Sequence, residues 1–395
     1  MGALRVEMLG QHVALALWLE RLGRQLDLTD AQLQHARETY EAIGNWLATS
    51  TDPLLAGCRV FVQGSIGLGT AIRPLLDDEF DVDLICHLIA AHAGVPAATI
   101  KGRVGARLRE NGKYAQLLVE KNRCWRLQYK RAFHLDATPA VTHDGDGLPA
   151  LLIPDQELRR LTPTNPVEYL DKFQARAALI PRFILAKSAA GIRADVAEFP
   201  LHAGPKGILR RVVQVLKRHR DLMFQDAKTC NVRPISVIIT TLASQAYERV
   251  VLAGVYESEF DLFVQVIEQM PAFIKTRLVD GKVFYDIPNE TVRGENFADR
   301  WNNDARLPAA FYAWHKAALQ AVRTLADLRG LDVLAEHMTK SFGAGVGPRI
   351  LNDVTSDVSA QRAAGRLGVA PVVGVTAGAA AATPVRANTF FGRRE

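Results

Sequence analysis

The stretch Phe61–Leu88, FVQGSIGLGTAIRPLLDDEFDVDLICHL, decides the fold. It places a Gly-Ser turn ahead of two carboxylates, Asp81 and Asp83, that alternate with apolar residues. Side chains two apart in a strand emerge on the same sheet face, so Asp81 and Asp83 share a face while Phe80, Val82 and Leu84 turn into the core. A third carboxylate, Asp136, lies in a second apolar run, AFHLDATPAV. An isolated Asp is unfavourable in a strand, and a metal-ligand role accounts for it. Adjacent carboxylates repel unless a cation compensates them, and oxygen-only ligands select Mg²⁺ or Mn²⁺ over zinc. A lone Asp-x-Asp is ordinarily a solvated edge. The apolar neighbours and the third carboxylate tip the balance toward a metal site.

The turn itself, Gly64–Thr70 (GSIGLGT), supplies backbone N–H groups and the Ser65 hydroxyl, which together can surround phosphate oxygens. It is neither a Walker A loop nor a dinucleotide fingerprint, because it lacks GK[ST] and its spacing is GxxGxG. Three acidic groups beside a phosphate cradle are what two-metal nucleotidyl transfer requires. The helix GILRRVVQVLKRHRD adds Lys217, Arg218 and Arg220, with Arg210 on the face of Lys217. Lys217 is the candidate for neutralising a triphosphate; a solvated basic face is the expectation for the others. His87, His134, His202, His219 and His315 show no metal-ligand spacing and read as structural or surface residues.

Composition sets wide bounds. The chain has 395 residues, 48% hydrophobic and 23% charged, enough for two domains with proper cores. A net charge of +6 suits phosphate binding without calling for a nucleic-acid partner. No apolar run reaches the roughly eighteen residues of a membrane span. The N-terminal stretch reads as an amphipathic helix, and the expected setting is cytoplasmic, with no membrane partner. Cys58, Cys86, Cys124 and Cys230 lack CxxC spacing and read as buried thiols.

Helical spacing runs through 28–51, with Asp30 as its cap, and strands follow at Cys58–Gln63 and Phe80–Leu88. An Arg-rich helix spans 99–111, with strands at 115–121, 124–130 and 132–138, and Asn165-Pro166 opens another helix. From Pro205 the chain turns to helix after helix. The expected domains are 1–200, a catalytic core with N-terminal helices; 201–346, a helical domain closing the cleft; and 347–395, a flexible tail rich in Ala, Gly and Val. The class is α+β, with a mixed sheet.

These residues resemble the cGAS/DncV-like nucleotidyltransferases (CD-NTases) of bacterial anti-phage signalling, within the polymerase-beta-like superfamily. The matching segments are Gly64–Pro74 with Asp81 and Asp83, the Asp136 strand, Thr164-Asn165-Pro166, Leu216–Asp221, Pro234–Leu242 and Glu295–Trp301. The resemblance implies a polymerase-beta-like core packed on a C-terminal helical domain, with nucleotides between them. It implies that Gly64 and Ser65 hold donor phosphates and that Asp81, Asp83 and Asp136 hold Mg²⁺, or Mn²⁺. Lys217 and Ser236 would contact the triphosphate from the helical side. The implied reaction condenses nucleoside triphosphates, ATP or GTP, into a cyclic di- or trinucleotide with loss of pyrophosphate. Implied partners are an operon-encoded effector and, for the tail, a ubiquitin-like ligase; nucleic acid is not required. The competing readings are a template-independent RNA, small-molecule or protein nucleotidyltransferase, and a non-catalytic nucleotide-binding module.

Overall fold

The computed structural model describes residues 2–75, 79–143, 151–157, 159–184, 206–370, 374–377 and 383–384. Its first half is organised around a mixed sheet. After helices α1 (Gly2–Leu26) and α2 (Asp30–Ala48) come strand β1 (Arg59–Gln63), the short helix α3 (Gly64–Leu68) and strand β2 (Phe80–His87). Helices α4 (Ala97–Glu110) and α5 (Gly112–Leu117) lead to β3 (Leu118–Glu120), β4 (Trp125–Tyr129) and β5 (Phe133–Thr142). Strands β6 (Leu151–Asp155) and β7 (Arg160–Thr164) precede α6 (Pro166–Ala177). The strands order as β1-β2-β5-β4-β3, with β6 paired to β5 and β7 to β6. Only β2 and β5 run parallel within this sheet; its other pairings are antiparallel. The mixed α+β class is therefore as the sequence indicated.

One sheet face is dry. Val82, Leu84, Leu127 and Leu135 bury there against Ile43 and Leu47 of α2 and Ile100, Val104 and Leu108 of α4. The alternation that points these residues inward points Asp81, Asp83 and Asp136 to the other face. Trp125 seals one end, its Nε1 donating to Lys101 O at 2.8 Å while its ring fills the space a side chain on Gly105 would need.

The second core is helical. It joins α7 (Ile208–Met223), α8 (Ser236–Ala253), α9 (Glu259–Gln269), α10 (Arg306–Asp327) and α11 (Leu331–Phe342), while the hairpin β8 (Lys275–Val279) and β9 (Lys282–Asp286) packs on it through Tyr285. Helix α1 belongs here and not with the sheet: Leu15, Trp18, Leu19, Leu22 and Leu26 recur at helical spacing and pack into this cluster. Glu20 and Asp27 fasten it by accepting from Arg211 of α7 at 2.9–3.0 Å. The N-terminal helices are thus split, α2 to the sheet and α1 to the helical body.

Four local expectations need correction. Thr29 caps α2 in place of Asp30, forming a capping box with Gln32. The strand expected over 115–121 is confined to 118–120, and residues 115–117 end helix α5, because the Asn111 side chain accepts from the Lys113 and Tyr114 N–H groups and starts a helical turn before β3. The helical part does not stop at 346: α12 runs Val346–Ala363, followed by short strands β10 (Leu367–Ala370), β11 (Gly374–Ala377) and β12 (Thr383–Pro384). Cys230 is exposed while the other three thiols are buried. The expected domain border at 200 and His202 lie outside the described residues, as do 371–373, 378–382 and 385–395 of the C-terminal tail. No described helix is long and apolar enough to cross a membrane.

Gly105→Ala forces its Cβ into the Trp125 indole in a packed core, a clash expected to cost about 1–3 kcal/mol. Urea unfolding of the two proteins checks it; equal midpoints would mean that the indole yields freely.

Candidate active site

A cleft of about 980 Å³ separates the polar sheet face from the helical body. Strand register builds its floor. The parallel pairing of β2 with β5 sets Asp83 directly beside Asp136 and Asp81 beside His134. The antiparallel pairing of β1 with β2 sets Gln63 opposite Asp83, which brings Gly64 over the same carboxylate. Gly64 has φ +62°, and any Cβ there would overlap the Asp83 carboxylate, so glycine is required twice over. Ser65 lies in the first turn of α3, which closes at Gly69 in the left-handed conformation; the Thr70 and Ala71 N–H groups return to Ser65 O at 2.9 and 3.0 Å.

Helix α7 forms the opposite wall, and the expectation of a solvated basic face fails there. Arg211, Lys217, Arg218 and Arg220 are all buried. Four side chains of this helix grip the chain at the end of α3 and just after it. Arg210 Nε donates to Leu68 O at 3.0 Å, Lys217 Nζ to Thr70 O at 3.0 Å, and Gln214 Nε2 to Ala71 O at 2.9 Å. Arg218 reaches Arg73 O. Arg220 instead donates to Ser236 Oγ at 2.8 Å and pairs with Asp221. Lys217, Arg220 and Ser236 line the cleft, so the two residues expected from the helical side lie in the same cleft as Asp81 and Asp83. Burial pulls the Lys217 ammonium down to about 8.

Arg126 is the site residue that motif reading missed. It lies opposite Asp136 in the β4–β5 register and donates to both carboxylate oxygens, at 2.7 and 2.8 Å. It also lies 3.6 Å from Asp81. The alternation Trp125-Arg126-Leu127-Gln128-Tyr129 was the available signal, since it puts Arg126 on the polar face. His134, expected to be a structural or surface residue, lines the cleft with Nδ1 2.8 Å from Glu79.

Asp83 carries the electrostatic load. Burial, and then Asp81 and Asp136, push its carboxyl up to about 7. A cation would relieve that repulsion, and the three carboxylates form a hard, oxygen-only donor set that fits Mg²⁺ or Mn²⁺. Among the described residues no group of three or more His, Cys, Asp or Glu side chains is poised to enclose a metal, and Asp136 directs both oxygens to Arg126. A carboxylate has about four lone-pair sites, so Asp136 can keep Arg126 and still ligate an ion.

Comparison with known proteins gives the same architecture. Residues 14–176 match the family model described as the Second Messenger Oligonucleotide or Dinucleotide Synthetase domain. A curated c-di-GMP synthase from Roseivirga ehrenbergii is 28% identical over 377 residues, covering 95% of this chain and 96% of the relative. Among solved structures, Bradyrhizobium diazoefficiens CdnG in complex with GTP superposes with TM-score 0.63 at 20% identity, covering 86% of this chain and 98% of that one. Vibrio cholerae DncV, in complex with the linear intermediate 5′-pppA(3′,5′)pG, gives TM-score 0.53 at 13% identity, covering 87% and 89%. At these identities the structural likeness speaks for the fold.

Asp83 binds a proton more readily folded than unfolded, its carboxyl rising from 3.8 to about 7. Metal-free protein therefore loses stability as pH rises from about 4 to about 7. Asp83→Asn removes that loss. The variant is expected to exceed the wild type at pH 8 by on the order of 1–4 kcal/mol and to match it near pH 4. Thermal melts in EDTA at both pH values test this; a variant no more stable at pH 8 would count against a buried, repelled carboxylate.

Proposed function

We infer that this protein, a cGAS/DncV-like nucleotidyltransferase in its fold and in its 14–176 domain, condenses nucleoside triphosphates into a cyclic oligonucleotide. The observation that carries the reading is the parallel pairing of β2 with β5. It brings Asp83 and Asp136 together on the face that Asp81 shares, across the cleft from Lys217. A ribose hydroxyl of the acceptor attacks the α-phosphorus of the donor. The new O–P bond forms in line with the breaking bond to the bridging oxygen, pyrophosphate departs with that electron pair, and the hydroxyl proton passes to solvent water. A second transfer within the linear intermediate closes the ring. Such chemistry asks the protein mainly for positioning and charge neutralisation.

Each part of the site has a place in this scheme. Gly64 and Ser65 would receive the donor phosphates at the turn held by α7. Lys217, and Ser236 in the first turn of α8, would meet the triphosphate from the other wall. Asp81, Asp83 and Asp136 would hold Mg²⁺ or Mn²⁺, which when bound neutralises the triphosphate and acidifies the attacking hydroxyl. Arg126 keeps Asp136 oriented. The signalling role belongs to the same proposal: a second messenger of anti-phage defence, read by an effector encoded nearby. So does ligation of the C-terminus by a ubiquitin-like system.

Purified protein incubated with all four labelled triphosphates and Mg²⁺ or Mn²⁺ is expected to yield a phosphatase-resistant small product. Asp81→Asn/Asp83→Asn protein should make at least about 10³-fold less, the scale on which lost charge stabilisation acts. Chains of extended RNA instead of a resistant small product would move the assignment to a template-independent polymerase.

A further inference from the structure

We propose that Glu295 reads a nucleobase in the cleft and selects guanine. This deepens the nucleotide-condensing reading and rests on it. The segments around Asn165 and Glu295 stood out in the sequence, yet the phosphate and metal chemistry above uses neither. They meet at one wall of the cleft, which Asn165, Tyr169, Asn289, Glu295 and Phe297 line together. The Tyr169 and Phe297 rings stand edge to face, with centroids 6.2 Å apart and planes at 90°. Aromatic faces beside a carboxylate suit a flat heterocycle with polar edges.

The wall is rigid before any ligand arrives. Asn289 N donates to Glu295 O at 2.9 Å, and Phe297 N to Ile287 O at 2.9 Å, closing the loop between them. Asn296 Oδ1 accepts from the Ile287 and Ala298 N–H groups at 2.9 and 2.8 Å. Asn289 Oδ1 accepts from Thr291 N and Thr291 Oγ1, while its Nδ2 donates to Glu295 Oε2 at 2.6 Å. Thr291 and Asn165 exchange hydrogen bonds at 3.4 Å, tying the loop to the cap of α6, the helix that carries Tyr169. Specificity needs an acceptor held in this manner, because a mobile one would follow either base.

The chemistry of the acceptor picks the base. A carboxylate only accepts. After the Asn289 bond, Glu295 keeps all of Oε1 and a lone pair on Oε2. Guanine presents two donors side by side, N1–H and the 2-amino group, and a carboxylate can take both. Adenine sets its unprotonated N1 against the carboxylate, and so does cytosine with N3. Uracil flanks its N3–H with two carbonyl oxygens. Asp221, another acid that lines the cleft, is already engaged by Arg220 at 2.6 and 2.8 Å, with Arg233 at 3.6 Å. Among the described residues no cation pairs with Glu295. Burial raises its carboxyl, while Asn289 and the more distant Arg123 charge lower it, so N–H donors from a base would stabilise its ionised form.

Glu295→Gln separates base reading from a loop-building role. Glutamine keeps an oxygen for Asn289, and it turns an N–H toward the base, matching the adenine N1 and 6-amino pattern. The measurement is calorimetric binding of α,β-methylene analogues of GTP, ATP and ITP to full-length protein, with thermal melts confirming that the variant is folded. Wild type is expected to bind the GTP analogue roughly 10- to 100-fold more tightly than the ATP analogue, the usual reach of a bidentate base contact. The ITP analogue lacks the 2-amino group and should bind roughly 10-fold more weakly than the GTP analogue, a result that requires no variant. Glu295→Gln should lose the guanine preference and favour the ATP analogue. Equal binding of GTP and ITP analogues by wild type, or an unchanged preference in a folded variant, would overturn the role of Glu295 and leave the nucleotide cleft standing. Failure of wild type to bind any analogue would overturn both.

Discussion

The structure depends on one row of side chains. Arg210, Gln214, Lys217 and Arg218 lie along one stripe of α7 and donate to the carbonyls of Leu68, Ala71, Thr70 and Arg73. A turn built to offer N–H groups to an anion leaves its carbonyls behind it, and those carbonyls need donors once they are buried. Hydrogen bonds from charged donors contribute roughly 1.5–3 kcal/mol each, and losing one would strand a buried carbonyl. The same bonds join the sheet to the helical body, so the position of the Gly64–Ser65 cradle over Asp83 is fixed by a helix more than a hundred residues later.

Across the cleft the opposite problem is solved in part. Three carboxylates share one sheet face, and Arg126 compensates Asp136 directly and Asp81 at a distance. Asp83 receives least help, which is why its carboxyl rises to about 7. The protein thus keeps one uncompensated acid at the point where the chemistry would take place. Preorganised sites commonly store such cost in the ligand-free state and recover it when the partner charge arrives.

What the sequence disclosed follows from which interactions are local. Alternation along a strand is local, so Asp81, Asp83 and Asp136 were legible, and so was the turn before them. Pairing is not local: nothing in the text of β2 or β5 says that they lie parallel with Asp83 beside Asp136, or that β4 delivers Arg126 to it. The basic stripe of α7 was misjudged because Lys and Arg usually face water, and their buried acceptors lie far away in sequence. The wall holding Glu295 was visible as a motif without a role, since its tie to Asn165 spans the chain.

The division of the two N-terminal helices has a consequence for the meaning of a domain here. The segment that matches the second-messenger synthetase family begins inside α1, whose apolar stripe is covered by helices from the second half of the chain. Cut out at its family borders, that segment would carry Trp18, Leu22 and Leu26 uncovered, while α7 would lose the partner of Arg211. The unit that is inherited and the unit that folds are therefore different lengths of chain. Moving this core to another chain would require both lobes together, which ties the wall around Glu295 to the sheet that carries Asp81, Asp83 and Asp136.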